Sequence, residues 1–411
     1  MATKYYVGTV QAVPQVDRLT ISAVASGAVL TATVNGKSVV YTCTSTDSTT
    51  TAAAAFLSLW QRAADGEIRE LSAALDPASS AAILVTGPND GAPFTLTASG
   101  SGGTITRSSV TSPQSPHDAN ATGNYSGGSL PSAGDDLIFQ TGTKGPKYNL
   151  TALAAIALAN VKRYSSFTGT IGLPTQNARG YLEYRNQYLQ VNATNFYADQ
   201  NSNDVSQAIR IQSVGSTLAV TVSGSTKSTA NSPQLEVYGL ASTSSVNIAG
   251  GSIGIANQAG QTATGSTLNA SNSAVFTGLG ASFTATILTE CSGTLGGSWS
   301  TCRVAGESNL TCALSAGSML GSGVGLTIDG GILNWRSPNS PAPIVEVANG
   351  ATLDLTYAPS VMTAFQLNLY QGATVNDPAG RIGTPHTVLY VQCDPSQVTY
   401  VDQPGRSHVV S

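Results

Sequence analysis

Three kinds of residue in this chain could carry chemistry, and each stands in a pattern that can be weighed. Gly250-Gly251-Ser252-Ile253-Gly254 has the GxSxG spelling of a nucleophile elbow. An elbow needs a strand before the serine and a helix after it, so that Oγ stands exposed beside an oxyanion hole. Strand-like sequence follows here, so a turn is expected instead. Carboxylates come second. Glu346 and Asp354 each lie between apolar neighbours, and Glu290, Glu307 and Asp329 are further outward candidates. Glycan cleavage needs two carboxyl groups ~5–9 Å apart, which outward groups on adjacent faces seldom reach. Histidine and cysteine come third. His117, His386 and His408 are the only histidines, and none lies near a cysteine or carboxylate at metal-ligand spacing. A hydrolase that depends on a histidine base has almost nothing to use. Cys43 and Cys393 stand apart, whereas Cys291, Cys302 and Cys312 recur within strand-like runs. A thiolate metal site is one reading of that trio; small apolar fillers of a β interior is the preferred one. Gly321-Ser322-Gly323-Val324-Gly325 opens no helix and so cannot cradle phosphate. No catalytic residue, metal ligand or cofactor is expected.

Binding is the remaining chemistry. Tyr181, Tyr184, Tyr188, Phe196 and Tyr197 form the one aromatic concentration, with Arg179, Glu183, Arg185 and Asp199 among them. Aromatics and arginine are enriched at interface hot spots, and aromatic rings also stack on sugars. The other reading is an irregular first coil that needs large side chains to plug a solenoid end. With Tyr5 and Tyr6 of the N-terminal segment, the candidate interface residues are Tyr5, Tyr6, Arg179, Tyr181, Tyr184, Arg185, Tyr188 and Tyr197.

Composition narrows the function further. Of 411 residues only 10% are charged, against roughly 25% in average domains. Hydrophobic residues at 41% in regular alternation argue against disorder. So few charges on a large exterior imply that partners cover much of it. The 18 basic residues are scattered, so no basic face exists for nucleic acid. No run approaches the ~18 apolar residues of a membrane span. Residues 1–17 carry no apolar signal segment, which predicts assembly in the cytosol.

The elements that must position these residues fall into five stretches. Residues 1–14 read as a polar N-terminal arm. Residues 15–110 read as a small α/β anchor module: runs 29–34 and 38–43 flank Asn35-Gly36, the dipeptide that best tolerates a tight hairpin. Asp47-Ser48-Thr49 then offers N-cap oxygens to a helix ending near Ala64, with Ala53, Phe56, Leu57 and Trp60 on one face. Three further strands are expected at 68–73, 81–86 and 93–97, and residues 111–130 read as a linker. From 131 to 395 short alternating runs recur, such as 217–222, 234–238, 245–248, 283–288 and 344–347, with Gly and Asn between them. No helix of useful length follows. The series is too long for one sandwich, which points to a β-solenoid with tight corners. Residues 396–411 read as a tail.

Residues 124–139, Asn-Tyr-Ser-Gly-Gly-Ser-Leu-Pro-Ser-Ala-Gly-Asp-Asp-Leu-Ile-Phe, resemble the opening of right-handed parallel β-helices of the pectin-lyase-like type. The hairpin–helix module, that opening, and Phe167-Thr168-Gly169-Thr170-Ile171-Gly172-Leu173-Pro174 together resemble virion proteins of tailed bacteriophages. The resemblance implies a mainly β fold, a right-handed parallel β-helix after a small α/β module. It implies a structural virion protein made in the host cytoplasm, decorating or cementing the capsid as a homotrimer against the major capsid protein. The rival it implies is a tail spike that binds, and possibly cleaves, host glycan.

Overall fold

The computed structural model describes residues 2–200, 207–227, 233–316, 324–339, 342–348, 350–362, 366–383, 387–402 and 409–410. The expected fold class holds: the chain is mainly β, a parallel solenoid of about 11 turns with small antiparallel sheets near its N-terminus.

The solenoid follows from alternation. In a strand, successive side chains point to opposite faces, so every second residue can be given to a core. Along one sheet, here the front sheet, the inward residues stack in register from turn to turn. Leu137, Val161, Phe196, Val220, Val246 and Leu268 begin that column. Thr286, Cys302, Leu326, Val345, Leu367 and Val388 continue it. The rear sheet supplies a facing column, Ile209, Leu235, Ile253 and Val275, and later Leu310, Leu333, Leu353 and Val375. Burying each such side chain contributes roughly 1.5–3 kcal/mol. One contiguous core therefore runs the length of the column.

Turn length is set by the corners. The step from one inward front residue to the next is short between Thr286 and Cys302 and long between Val161 and Phe196. No fixed sequence period results, although the structural repeat is strict. Front-to-rear corners need a left-handed backbone, and Gly250, Asn272, Glu290, Gly306 and Gly330 supply it at φ 79°, 48°, 55°, 62° and 97°. A third, shorter ladder joins 263–265, 281–283 and 298–299. Gly265 is needed there, because a Cβ would fall 2.3 Å from the Phe283 ring.

The first turn differs from the expectation of a free arm. Thr3–Tyr5 is a solenoid strand, paired parallel with Asp136–Phe139. Its backbone is clamped by Asp135, whose Oδ1 accepts from Ala2 N at 2.7 Å. Residues 111–130 are likewise no loose linker. Asn124 is fully buried, donates to Ser115 O and Asp118 O, and accepts from Val10 N. The rings of Tyr125, Tyr6, Phe139 and Phe167 pack in sequence, edge-on or tilted, with successive centroids 5.3–5.5 Å apart, and plug the solenoid mouth.

The N-terminal module has two sheets and a helix. The hairpin at Asn35-Gly36 joins Val29–Val34 to Lys37–Thr42. The helix is Thr49–Arg62, opened by a capping box between Ser48 and Thr51, and it buries Ala52, Ala53, Phe56 and Trp60. The expected strand at 68–73 is instead a short helix, Gly66–Arg69, followed by a strand at Ser72–Asp76. Leu96–Ser101 and Thr104–Thr111 complete the β structure of the module, and Thr104–Thr111 is an edge strand that turns only Ile105 inward. Exposed edge strands need little apolar content.

Candidate interaction site

The first part of the aromatic concentration, Tyr181 and Tyr184 with Arg185, forms a seam inside the molecule between the module and the solenoid. Arg185 is its centre. Its Nη2 meets Glu70 Oε1 at 2.9 Å, its Nη1 meets Glu183 Oε1 at 3.0 Å, and its Nε donates to Pro93 O at 2.7 Å. The guanidinium lies over the Tyr184 ring, 4.4 Å from the centroid. Tyr181 donates to Glu70 Oε2, and Tyr148 donates to Asp90 Oδ2 at 2.9 Å. Burial, and then these carboxylates, push the phenols of Tyr148 and Tyr181 far above their ordinary range. Burial opposes the charge of Arg185, and Tyr184 and the two carboxylates of Glu70 and Glu183 hold it against that burial. A charge-assisted fork with each side-chain N–H group bonded is a rigid fastening. A cleft of about 300 Å³ opens beside it, lined by Pro93, Lys147, Tyr148, Tyr184 and Arg185 among others.

The candidate interface residues therefore separate. Tyr181, Tyr184 and Arg185 are spent on the seam. Tyr188 is buried, donates to Glu236 Oε2 at 2.7 Å and packs edge-on against Tyr238. Tyr6 is 1% exposed and belongs to the mouth plug, its hydroxyl donating to Pro116 O at 2.8 Å. These five candidate interface residues are taken up inside the chain, each by a polar partner or an apolar enclosure, which agrees with the other reading of them as large side chains that fill an irregular first coil. Arg179 is exposed on the loop below the seam. Tyr5 and Tyr197 do face outward, on the front sheet.

There they belong to one row. Residues of the outward register align from turn to turn as Tyr5, Ile138 (itself buried), Lys162, Tyr197, Thr221, Asn247, Asn269 and Ile287, then Arg303, Thr327, Glu346 and Asn368. Beside it runs a second row, Ser223, Ala249, Ser271, Thr289 and Ala305. From Thr221 to Ile287 both rows are uncharged and the side chains short. Asn247 and Asn269 bond across turns at 3.1 Å, and Ile287 is 43% exposed. A groove of about 460 Å³ runs along this stretch. Charges return at its borders: Lys162 meets Asp136 at 2.9 Å, and Arg303 pairs with Asp329. Sequence reading missed this face because no single residue in it stands out. The signal was the outward half of each alternating run.

The chemical candidates do not assemble. Ser252 is 1% exposed and forms a front-to-rear corner; its Oγ accepts from Gln234 N at 2.9 Å, and Gln200 bonds its N and its O. The GxSxG spelling is thus a corner, as the strand that follows requires. Glu346 lies on the front sheet and Asp354 on the rear, where it bonds Thr356 N at 3.0 Å. Glu307 and Asp329 share a hollow at one corner, but Asp329 is paired with Arg303. Glu307 stands in solvent, without the apolar enclosure that a general acid needs. Glu290 is a corner residue. Cys291, Cys302 and Cys312 are buried thiols, in no disulfide, that fill the interior, and burial pushes Cys302 up to about 12. Thiolates, the metal-binding form, are disfavoured there. His117 Nδ1 donates to Gly145 O, 2.8 Å away. His386, His408 and the segment 321–323 lie outside the described residues. Among the described residues no group of three metal-ligating side chains converges, and no helix is long and apolar enough to cross a membrane.

Comparison with known proteins adds no family. No family model matches the chain, and no curated protein matches it.

Proposed function

We propose that this chain is a structural component of a tailed-phage particle, which decorates and cements the shell as a homotrimer. What carries the reading is the uncharged front face between Thr221 and Ile287, a regular strip on an otherwise closed column. Short neutral side chains lose little conformational entropy when covered and leave no buried charge, so such a strip suits protein contact. The column itself is stiff, because each turn bonds to the turns on both sides. The seam at Arg185 fixes the module to one end, so load on the module passes into the column. The shell is the partner in this reading, with no cofactor and no reaction.

The test is the copy number of this protein in purified particles. Hundreds of copies per particle support a cement. A few copies at the tail favour the second reading, a spike that binds host glycan, for which the outward rings of Tyr164 and Tyr197 are the favourable observation. No copies in the particle would reject both.

A further inference from the structure

The cleft of about 300 Å³ beside the seam is a single hollow with walls from both parts of the chain. Residues 93–95 of the module form one wall, and residues 147–151 and 184–186 of the first solenoid turns form the others. These walls are pinned. Lys147 N and Tyr148 N both donate to His117 O, at 2.8 and 3.0 Å, and Leu150 O accepts from Gln190 N at 2.9 Å. Asn149 turns the chain between them at φ 52°, with its Nδ2 tied to Asp118 Oδ1 at 2.9 Å. Arg185 Nε holds the module wall through Pro93 O.

The charges around the cleft do not balance. Among the described residues no carboxylate lines it. The acids of the neighbouring elements are taken: Glu70 and Glu183 by Arg185, Asp90 by Tyr148, and Asp118 by Asn149. Lys147, half-buried in the wall, has no described carboxylate within ion-pair distance. Tyr184, also in the lining, keeps a buried hydroxyl without a described hydrogen-bond partner. Thr95, Thr151 and Asn186 add exposed hydroxyl and amide groups.

We infer that this cleft binds one carboxylated sugar unit of the uronic acid class, with its carboxylate on Lys147 and its hydroxyls on Thr95, Thr151 and Asn186. A preformed hollow at a junction of two domains, part apolar and with a few polar groups, is the usual form of a small-ligand site, and 300 Å³ stands at the small end of its range. A cation with no acid beside it selects an anion, and bonds between charged partners are the stronger kind. Three short polar side chains that a hydrocarbon acid would desolvate without partners are served by sugar hydroxyls instead. Arg185 is not the anchor, because Glu70, Glu183 and Pro93 O already occupy it. The site lies apart from the front face and from the Tyr164 and Tyr197 rings, so its test and the particle copy number fail independently.

The experiment is calorimetric titration of the full chain with sodium glucuronate, glucose and sodium acetate. Glucuronate should bind at one site per chain, about tenfold more tightly than either control. Lys147→Gln should weaken it about tenfold and Lys147→Arg should retain it, with the melting midpoint of both variants unchanged. Glucose binding as well as glucuronate would overturn the role of the carboxylate, and acetate binding as well would overturn that of the sugar. No glucuronate binding up to about 10 mM, or undiminished binding by Lys147→Gln, would overturn the site itself.

Discussion

The seam at Arg185 and the front face of the solenoid use opposite chemistry. The seam concentrates the charges and rings: Arg185, Glu70, Glu183, Tyr181 and Tyr184. The front face has almost none, only Asn, Thr, Ser, Ala and one exposed isoleucine. Both join surfaces, but on different terms. Within one chain the two sides fold together, so strong directional bonds can be completed during folding and kept. Between chains, each partner must stay soluble before it meets the other, and buried charge would cost more than it returns. Conspicuous residues therefore mark the internal joint, and the inconspicuous strip marks the proposed external one.

That contrast can be broken at the seam first. Arg185→Ala leaves Glu70 and Glu183 buried and unpaired, and should destabilise the joint by about 3–5 kcal/mol. In a melting experiment the module should then unfold in a step separate from the solenoid; a single unshifted transition would show the seam to be dispensable. Next comes the column. Leu268→Ala opens a cavity behind the front face and should cost about 2–5 kcal/mol in urea unfolding, without freeing the module. Ser252→Ala removes the acceptor for Gln234 N and should cost roughly 1–3 kcal/mol, with the fold intact by circular dichroism. An effect on hydrolysis of any ester would contradict its role as a corner.

A smaller and local effect is expected from acid. Backbone donors at Ala2 and then Ser132 hold the Asp135 carboxyl below its usual range, and Asn160 and then Lys162 do the same for Asp136. A depressed folded value means that the clamp on Thr3–Tyr5 is fully present above the ordinary carboxylate value of about 3.9 and is lost as pH falls through the folded value. Pepsin should therefore spare the bond near Tyr5 above the ordinary carboxylate value and begin to cut there only as pH falls through the depressed one. Asp135→Asn should remove most of that pH dependence.

Much of the fold was legible because one rule generates it. Alternation in runs such as Val246, Ile248 and Leu326, Ile328 names the inward residues directly, and Asn35-Gly36 and Ser48 mark their turn and cap in place. Three things were not legible. Thr3–Tyr5 is too short and polar to read as a strand, and it pairs with residues more than a hundred positions away. Glu70 gives no sign in sequence that it will meet Arg185, because only the docking of module on solenoid brings them together. Thr286 breaks the apolar inward column with a hydroxyl that has no partner, a cost its neighbours Leu268 and Cys302 outweigh. The candidate site was legible only as a property of a row, visible once the register between turns is known.

The front face is tested most directly by the mass of the purified protein in solution, measured by sedimentation equilibrium for the natural chain and for Ile287→Arg. A surface change of this kind alters stability by no more than about 0.5 kcal/mol, so folding should survive it. The account predicts three times the chain mass for the natural protein and the single-chain mass for the variant. A natural protein that stays a single chain at every concentration, or a variant that assembles unchanged, would contradict it.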